Sequence, residues 1–310
     1  MSHSKRPSVN VLVSSHNYAS YVVEAIQSAL DQSEPPALVI VVDDGSTDGS
    51  QDLLRQQFGQ DPRIVLIDQP NQGQLVAWMT AFAHATGEVI ALLDSDDVWE
   101  PDYLRRIVDV YAARPEVDFI YSNMQLFGQV ERPMQRPGPD RDLGLSVLLG
   151  AYVHCWQGTA TSAMSLRREL AARLLVLPGE MAAEWTSRPD DCLVYGGEIL
   201  GAHKYYLGAP LVRHRQHGAN AKNAYRGDAI RTYRYLMRSE RMLEFYRQRA
   251  GVTPRWLRMA KAEFRTKPSP TFAELRAYRW LLRQAPLPWW KWLEQWTALW
   301  SHYLGGLRRS

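Results

Sequence analysis

One apolar run of strand length, ending abruptly in carboxylates, constrains this chain more than any other stretch. Residues 87–97 read GEVIALLDSDD, so Val89 to Leu93 carry no polar alternation and Asp94, Asp96 and Asp97 follow at once. Val, Ile and Leu in an unbroken run suit a central strand buried on both faces. The acidic cluster then lies at the carboxyl end of that strand, the edge at which open α/β sheets gather their ligands. Like charges this close repel unless something positive sits among them. A divalent ion with oxygen ligands, Mg²⁺ or Mn²⁺ shared with a phosphate, answers that need. The alternative is an acidic loop that caps the helix expected from Pro101 onward.

The same arrangement recurs upstream, where the β-branched run 38–42 ends at Asp43 and Asp44. Residues 9–14, 38–42, 64–67, 88–93 and 117–122 read as strands. Residues 18–32, 73–86 and 101–114 read as helices, as does a segment from an N-cap at Ser46 or Thr47 to Phe58. Strand–helix alternation predicts a mostly parallel sheet flanked by helices, with right-handed crossovers. Both acidic strand ends then converge on one cleft. No G-x-G-x-x-G follows the first strand and no P-loop is present, so phosphates there would be held through a metal. Further on, 125–130 continues the sheet, and 133–142, with three prolines and a glycine, reads as a mobile loop near the site. Helices are expected over 143–152, 167–176 and 190–200, and a short strand over 205–215 leads into His214-Arg215-Gln216-His217-Gly218-Ala219-Asn220.

Charge and aromatic content divide the chain. From Arg226 to the last residue there are 18 Lys and Arg against 6 Asp and Glu, in a protein whose net charge is only +3, and 7 of the 11 Trp lie there. The division predicts an acidic, ligand-handling domain over 1–225 and a basic, Trp-rich helical extension over 226–310. Four helices are expected in it, at 228–249, 254–265, 271–284 and 287–304. In the last, Trp289, Trp292, Leu293, Trp296, Trp300 and Tyr303 recur at helical steps and form one apolar-aromatic face. With Arg308 and Arg309 it reads as a helix that meets an anionic membrane surface; the alternative is a helix docked on the catalytic body. Two cysteines without metal-like spacing, no signal-peptide pattern and no span-length apolar stretch lead to an expectation of a cytoplasmic protein, with peripheral attachment to the membrane face as a further option.

Taken together, Ser15-His16-Asn17-Tyr18, Asp43-Asp44-Gly45-Ser46-Thr47-Asp48, Asn71-Gln72-Gly73, Gly87-Glu88, and Asp94-Ser95-Asp96-Asp97 followed by Pro101-Asp102 resemble the family 2 glycosyltransferases with the GT-A fold. In that family one Rossmann-like domain binds a nucleotide-diphospho-sugar donor. The match covers residues 9–220. It implies a metal-dependent, inverting transfer of a sugar to an acceptor hydroxyl, in cell-surface polysaccharide or glycolipid assembly of bacterial type. The implied acceptor is a saccharide or a lipid-linked saccharide, and no nucleic acid is expected.

The resemblance also implies roles. Ser15, His16, Asn17, Asp43, Asp44, Gly73, Asp94, Asp96 and Arg215 would hold the donor, with Asp43 accepting a hydrogen bond from the nucleobase and Arg215 reaching the diphosphate. Asp96 and Asp97 would ligate the divalent ion (Mn or Mg), Asp97 most directly, and His217 would join them or contact phosphate. Asp191 would be the base that deprotonates the acceptor; its spacing to Leu193 and Val194 leaves Asp190 open. Trp156 would stack on a sugar or pack in the core. Departures from the family pattern are His16, where many relatives carry Tyr, and Trp78-Met79, where many carry Arg-Asn. Two rivals remain: a nucleotidyltransferase, which would release pyrophosphate from a nucleoside triphosphate, and a non-catalytic nucleotide-sugar-binding or scaffold protein at the membrane, which would not hydrolyse a nucleotide sugar.

Overall fold

The structure is a computed structural model and describes residues 6–185, 187–217 and 228–307. Its first half follows the expected alternation. β1 (Val9–Ser15) precedes α1 (Val22–Leu30), β2 (Leu38–Asp44) precedes α2 (Ser50–Phe58), β3 (Ile64–Gln69) precedes α3 (Gln74–Ala83), and β4 (Val89–Asp94) follows. β1 is buried along its whole length and β4 along all but its final Asp. β1 pairs in parallel with β2 on one side and β4 on the other, and β2 with β3. Register sets the site: Ser15 lies beside Asp43, and Ser14 beside Asp94. The two acidic strand ends flank the end of β1, where the strand order turns back on itself.

Two helix starts differ from expectation. α2 begins at Ser50 with Gly49 in the left-handed region at its N-cap, instead of at Ser46 or Thr47. Those residues belong to the preceding turn, where the Asn17 amide donates to Ser46 Oγ and the Thr47 amide donates to Asn17 Oδ1. α1 begins at Val22 because residues 18–21 close a turn, with the Tyr18 carbonyl accepting from the amides of Tyr21 and Val22.

The chain continues through β5 (Val98–Trp99), α4 (Tyr103–Ala113), β6 (Phe119–Gly128), β7 (Arg132–Pro133), β8 (Arg141–Gly144), β9 (Met164–Arg167), α5 (Arg168–Leu174), α6 (Gly179–Ala183), α7 (Asp190–Ile199) and β10 (Lys204–Gln216). The strand order is β3-β2-β1-β4-β9-β6-β10-β5, with β7 on β6 and β8 on β10. β9 runs antiparallel between β4 and β6, which leaves β6 and β10 pointing with the first four strands. The segment 133–142, expected to be mobile, is tethered: its ends pair with β6 and β10, and Asp140 accepts from the Gly208 amide and from Arg106. Residues 143–152 form the end of β8 and a π-helical turn, Leu149–Val153, instead of a regular helix. The short strand expected at 205–215 is a 13-residue strand whose register shifts around Pro210, a residue without an amide to donate.

The C-terminal helices are α8 (Ala229–Ala250), α9 (Ala260–Arg265), α10 (Phe272–Gln284) and α11 (Trp289–Leu307), with a 3₁₀ turn before α9. The expected boundary at 225/226, together with Gly218, Asn220, Arg308 and Arg309, lies outside the described residues. α8 enters the core of the body: Met242, Leu243 and Tyr246 are buried in one cluster with Phe119 and Leu193. α9 to α11 close a second cluster over Leu148 and Leu149. Buried polar ties join the two. Glu263 accepts from the Leu148 amide and the Tyr278 hydroxyl, and Lys267 donates to the Leu143 carbonyl and Ser146 Oγ while pairing with Glu274. Among the described residues no helix is long and apolar enough to cross a membrane.

Candidate active site

At the β2 end of the cleft the two neighbouring carboxylates do different things. Asp44 fastens the loop before α3: Oδ1 accepts from the Gln72 amide at 2.9 Å and Gln69 Nε2 at 2.7 Å, and Oδ2 from the Gly73 amide at 2.8 Å. Asp43 Oδ1 accepts from the Ser46 amide and Gln51, while Oδ2, buried, has no hydrogen-bond partner among the described residues. Beside it in register, the buried Ser15 hydroxyl likewise has no partner among the described residues. Buried polar atoms are ordinarily satisfied, so two adjacent exceptions mark a place prepared for a polar ligand. His16 donates from Nδ1 to the Asp44 carbonyl at 2.8 Å, since a carbonyl can only accept; Nε2 is then the acceptor for Asn17 and Asn71. Trp78 is only 1% exposed and belongs to the core, so it offers nothing to the cleft.

The acidic turn after β4 does not cap α4, whose N-cap is Asp102. Oxygen atoms of Asp94, Asp96 and Asp97 lie within 4.8 Å of one another. Asp97 is 0% exposed, and its two oxygens already accept from Ser162 Oγ, His214 Nδ1 and the Arg215 amide. It is therefore the least available of the three for a metal, and it ties the turn to β10. Asp94 accepts from Gln74 at 2.6 Å through Oδ1, and Asp96 from His217 at 2.9 Å through Oδ2. That leaves Asp94 Oδ2 and Asp96 Oδ1 without hydrogen bonds among the described residues. Burial, then repulsion from Asp97 and Asp96, pushes the Asp94 carboxyl well up; burial and Asp97 push Asp96 up. Two hard, unpartnered oxygens in a site that penalises their charge fit Mg²⁺ or Mn²⁺.

Around this turn stand Arg215 and His217, expected from the sequence, together with Tyr18, Tyr21, Glu24 and Ser162, to which the sequence assigned no role. Tyr18 faces the acidic cluster: burial and the charges of Asp96 and Asp94 raise its hydroxyl to about 12. His217 stacks on Tyr21 at 5.3 Å between ring centres. Arg215 donates to the Asp96 carbonyl, pairs with Glu24 and lies over the Tyr21 and Phe127 rings, so its guanidinium braces the turn. Ser162, in the 3₁₀ turn Thr161–Ala163, donates to Asp97 and accepts from the Asp94 amide. Trp156 packs half-buried against the core.

Across the cleft, Asp190 and Asp191 open α7 without capping it. Asp191 is 0% exposed and clamped, accepting from Arg188 through both oxygens and from the Tyr235 hydroxyl at 2.7 Å. Asp190 is the reverse: among the described residues no side chain bonds its carboxylate. Burial first, and then the charge of Asp191, raises it to about 7. Its charge in turn contributes to the raised pKa of Asp94, which ties it electrostatically to the acidic turn. Of the two, Asp190 has the availability and the proton affinity of a general base.

The family model described as "Glycosyl transferase family 2" matches residues 10–170, just over half of the chain. The chain belongs to that family. Its sheet with flanking helices is a GT-A fold. An uncharacterized glycosyltransferase of Nostoc sp. is 37% identical to it over 219 residues, which cover 68% of this chain and 66% of that protein. The chondroitin synthase of Escherichia coli is 33% identical over 116 residues, 37% of this chain and 17% of the synthase. The chain thus spans less than two thirds of either relative. Among solved structures, residues 1–349 of S. aureus TarS in complex with UDP-GlcNAc superpose with a TM-score of 0.57 at 14% identity, covering 96% of this chain and 81% of that one. At that identity the likeness shows the fold.

Proposed function

We propose that this enzyme moves a sugar from a nucleotide-diphospho-sugar to an acceptor hydroxyl with inversion at the anomeric carbon, Asp190 acting as base. One observation carries the reading: Asp191 is clamped by Arg188 and Tyr235, whereas among the described residues no side chain bonds Asp190, whose carboxyl burial raises to about 7. Asp43 Oδ2 and the Ser15 hydroxyl take the polar edge of the nucleobase, and Asp44 holds the loop that walls that pocket. Asp94 and Asp96 are the residues that would hold Mg²⁺ or Mn²⁺, and the bound ion would supply charge neutralisation for the diphosphate. Asp97, His214 and Arg215 keep those carboxylates aimed. Asp190 accepts the proton as the acceptor oxygen bonds to the anomeric carbon, while the bond to the diphosphate breaks on the opposite face. Holding donor and acceptor in line accounts for most of the rate, and proton removal for about 10²–10⁴-fold.

Names among the relatives, chondroitin synthase included, support a cell-surface saccharide as the product and a growing or lipid-linked saccharide as the acceptor. Ile230, Tyr233 and Met237 of α8 are exposed beside Tyr235, which bonds Asp191, and offer an apolar border for such an acceptor. The test is a panel of nucleotide sugars screened by thermal shift with Mn²⁺, followed by the anomeric configuration of the product. A raised melting temperature with one nucleotide class and an inverted product are expected. A retained configuration would overturn the mechanism.

A further inference from the structure

We infer that the outer surface of α10 and α11 is an interfacial membrane-docking face for anionic lipid, with α11 lying along the bilayer surface. The argument begins with an inversion of ordinary amphipathicity. α11 turns Leu299 and Gln295 inward against α9 and α10. A helix docked by one face should be polar on the other. Instead Trp289, Leu293, Leu304 and Leu307 form a stripe on the solvent side, with Trp289 78% exposed. Trp296, Trp300 and Tyr303, half-buried, continue this surface in a ladder of ring contacts at 6.1–6.2 Å that begins at Trp292. Exposed apolar area of this kind, contiguous and aromatic, marks an interaction surface.

Charge identifies the partner. On the α10 flank, Phe272 touches Trp300 and Tyr303, and Arg279 lies over the Trp296 and Trp300 rings at about 5.5 Å. Arg276 and Arg283 stand exposed on the same side of α10, one turn to either side of Arg279. On the α9 flank, Arg265 lines a cleft of about 200 Å³ with Ser301 and His302. The acid on α11, Glu294, is taken up by Lys261 and Lys291. An apolar stripe bordered by cations on both sides is complementary to acyl chains beneath anionic headgroups, with Trp at the boundary. A second copy of the chain would bring like charges together. The inference is independent of the transfer chemistry, and its consequence is that acceptors anchored in the same bilayer are concentrated at the enzyme.

The experiment is vesicle flotation of the full chain without donor or acceptor, using equimolar phosphatidylcholine and phosphatidylglycerol against phosphatidylcholine alone. The protein should float with the anionic vesicles, lose that association at high salt, and show a blue-shifted Trp emission quenched by brominated lipid. Trp289→Ser with Leu293→Ser and Leu304→Ser should weaken association at least about tenfold, since burial of three large apolar groups is lost. Arg276→Glu with Arg283→Glu should weaken it on anionic vesicles. All of these side chains are exposed, so melting temperature and transfer to a soluble acceptor should stay as in the parent. Failure of the parent to float, equal flotation with neutral vesicles, or full flotation of the triple Ser variant overturns the inference. So does a dimer, seen by sedimentation equilibrium, that the triple Ser variant dissolves while vesicles bind neither protein.

Discussion

Consecutive residues on a helix point about 100° apart, so two adjacent carboxylates at the start of α7 cannot share one environment. Asp191 turns into the body and is clamped by Arg188 and Tyr235, while among the described residues no side chain bonds Asp190. Sequence displayed the pair and not the rotation, which depends on where α7 starts. Asp190→Asn should lower transfer by about 10²–10⁴-fold with donor binding, measured calorimetrically, unchanged. Asp191→Asn should instead lower the melting temperature and cost less in rate; the opposite pattern would move the base to Asp191. The pH profile follows from a carboxyl raised to about 7: kcat/KM should climb with unit slope and level off above that pH. The same shift bears on stability. A carboxyl whose folded pKa is raised contributes stability fully below its unfolded pKa, and that contribution is lost as pH rises through about 7. Asp190→Asn should therefore raise the melting temperature in alkaline buffer and leave it unchanged in strong acid. Asp43→Ala removes a charged acceptor, and donor affinity should fall by about 1.5–3 kcal/mol in the same calorimetric assay.

At the scale of elements, strongly patterned pieces were legible and tertiary insertions were not. The strands β1 to β4 are apolar runs that sort themselves onto one sheet, and their order delivers the acidic ends together. β9, four residues long, carries no pattern that separates it from a loop; it exists because β4 and β6 each leave an edge to fill. The apolar spacing over 143–152 is genuine, but its residues divide: Leu143, Val147 and Ala151 pack into the core of the body, and Leu148 and Leu149 lie under the C-terminal helices. Loops near the site are held by specific geometry. Gly45 has φ +75°, and a Cβ there would sit 2.7 Å from the Asn71 amide nitrogen. Gly45→Ala should cost about 1–3 kcal/mol in chemical denaturation and loosen the loop that Asp44 fastens. On the acceptor side, Arg238 of α8 donates to the carbonyls of Glu184 and Ser187 and lies over Trp185 at 4.3 Å. Arg238→Met leaves those carbonyls unpaired in the segment before α7. A lower kcat with unchanged donor KM is expected from steady-state kinetics.

For the whole molecule, composition drew a line near residue 225 that packing crosses. Basic charge and Trp content do change there, and the outer face of α11 gives that change a physical meaning. Yet α8 contributes Met242, Leu243 and Tyr246 to the same core as the sheet, and a Cβ on Gly196 of α7 would lie 2.7 Å from the Tyr246 ring. Composition reports what a surface is made of, whereas core membership depends on which face of a helix turns inward. A fragment of residues 1–225 loses that cover, along with Tyr235, which bonds Asp191, and Arg238, which holds the segment before α7. Leu148 and Leu149 lose α9 to α11, and Ser146 and the Leu143 carbonyl lose Lys267. Uncovering several large apolar side chains costs about 1.5–3 kcal/mol each, against a total stability of about 5–15 kcal/mol. The fragment should therefore be insoluble, or soluble without a cooperative melt or near-ultraviolet circular dichroism. A fragment that melts cooperatively and binds a nucleotide sugar as the full chain does would show instead that the helices are an appended unit. The point substitution Lys267→Met reads the same junction without truncation: it strands Glu274 in the interior, and a loss of about 3–5 kcal/mol in urea unfolding is expected.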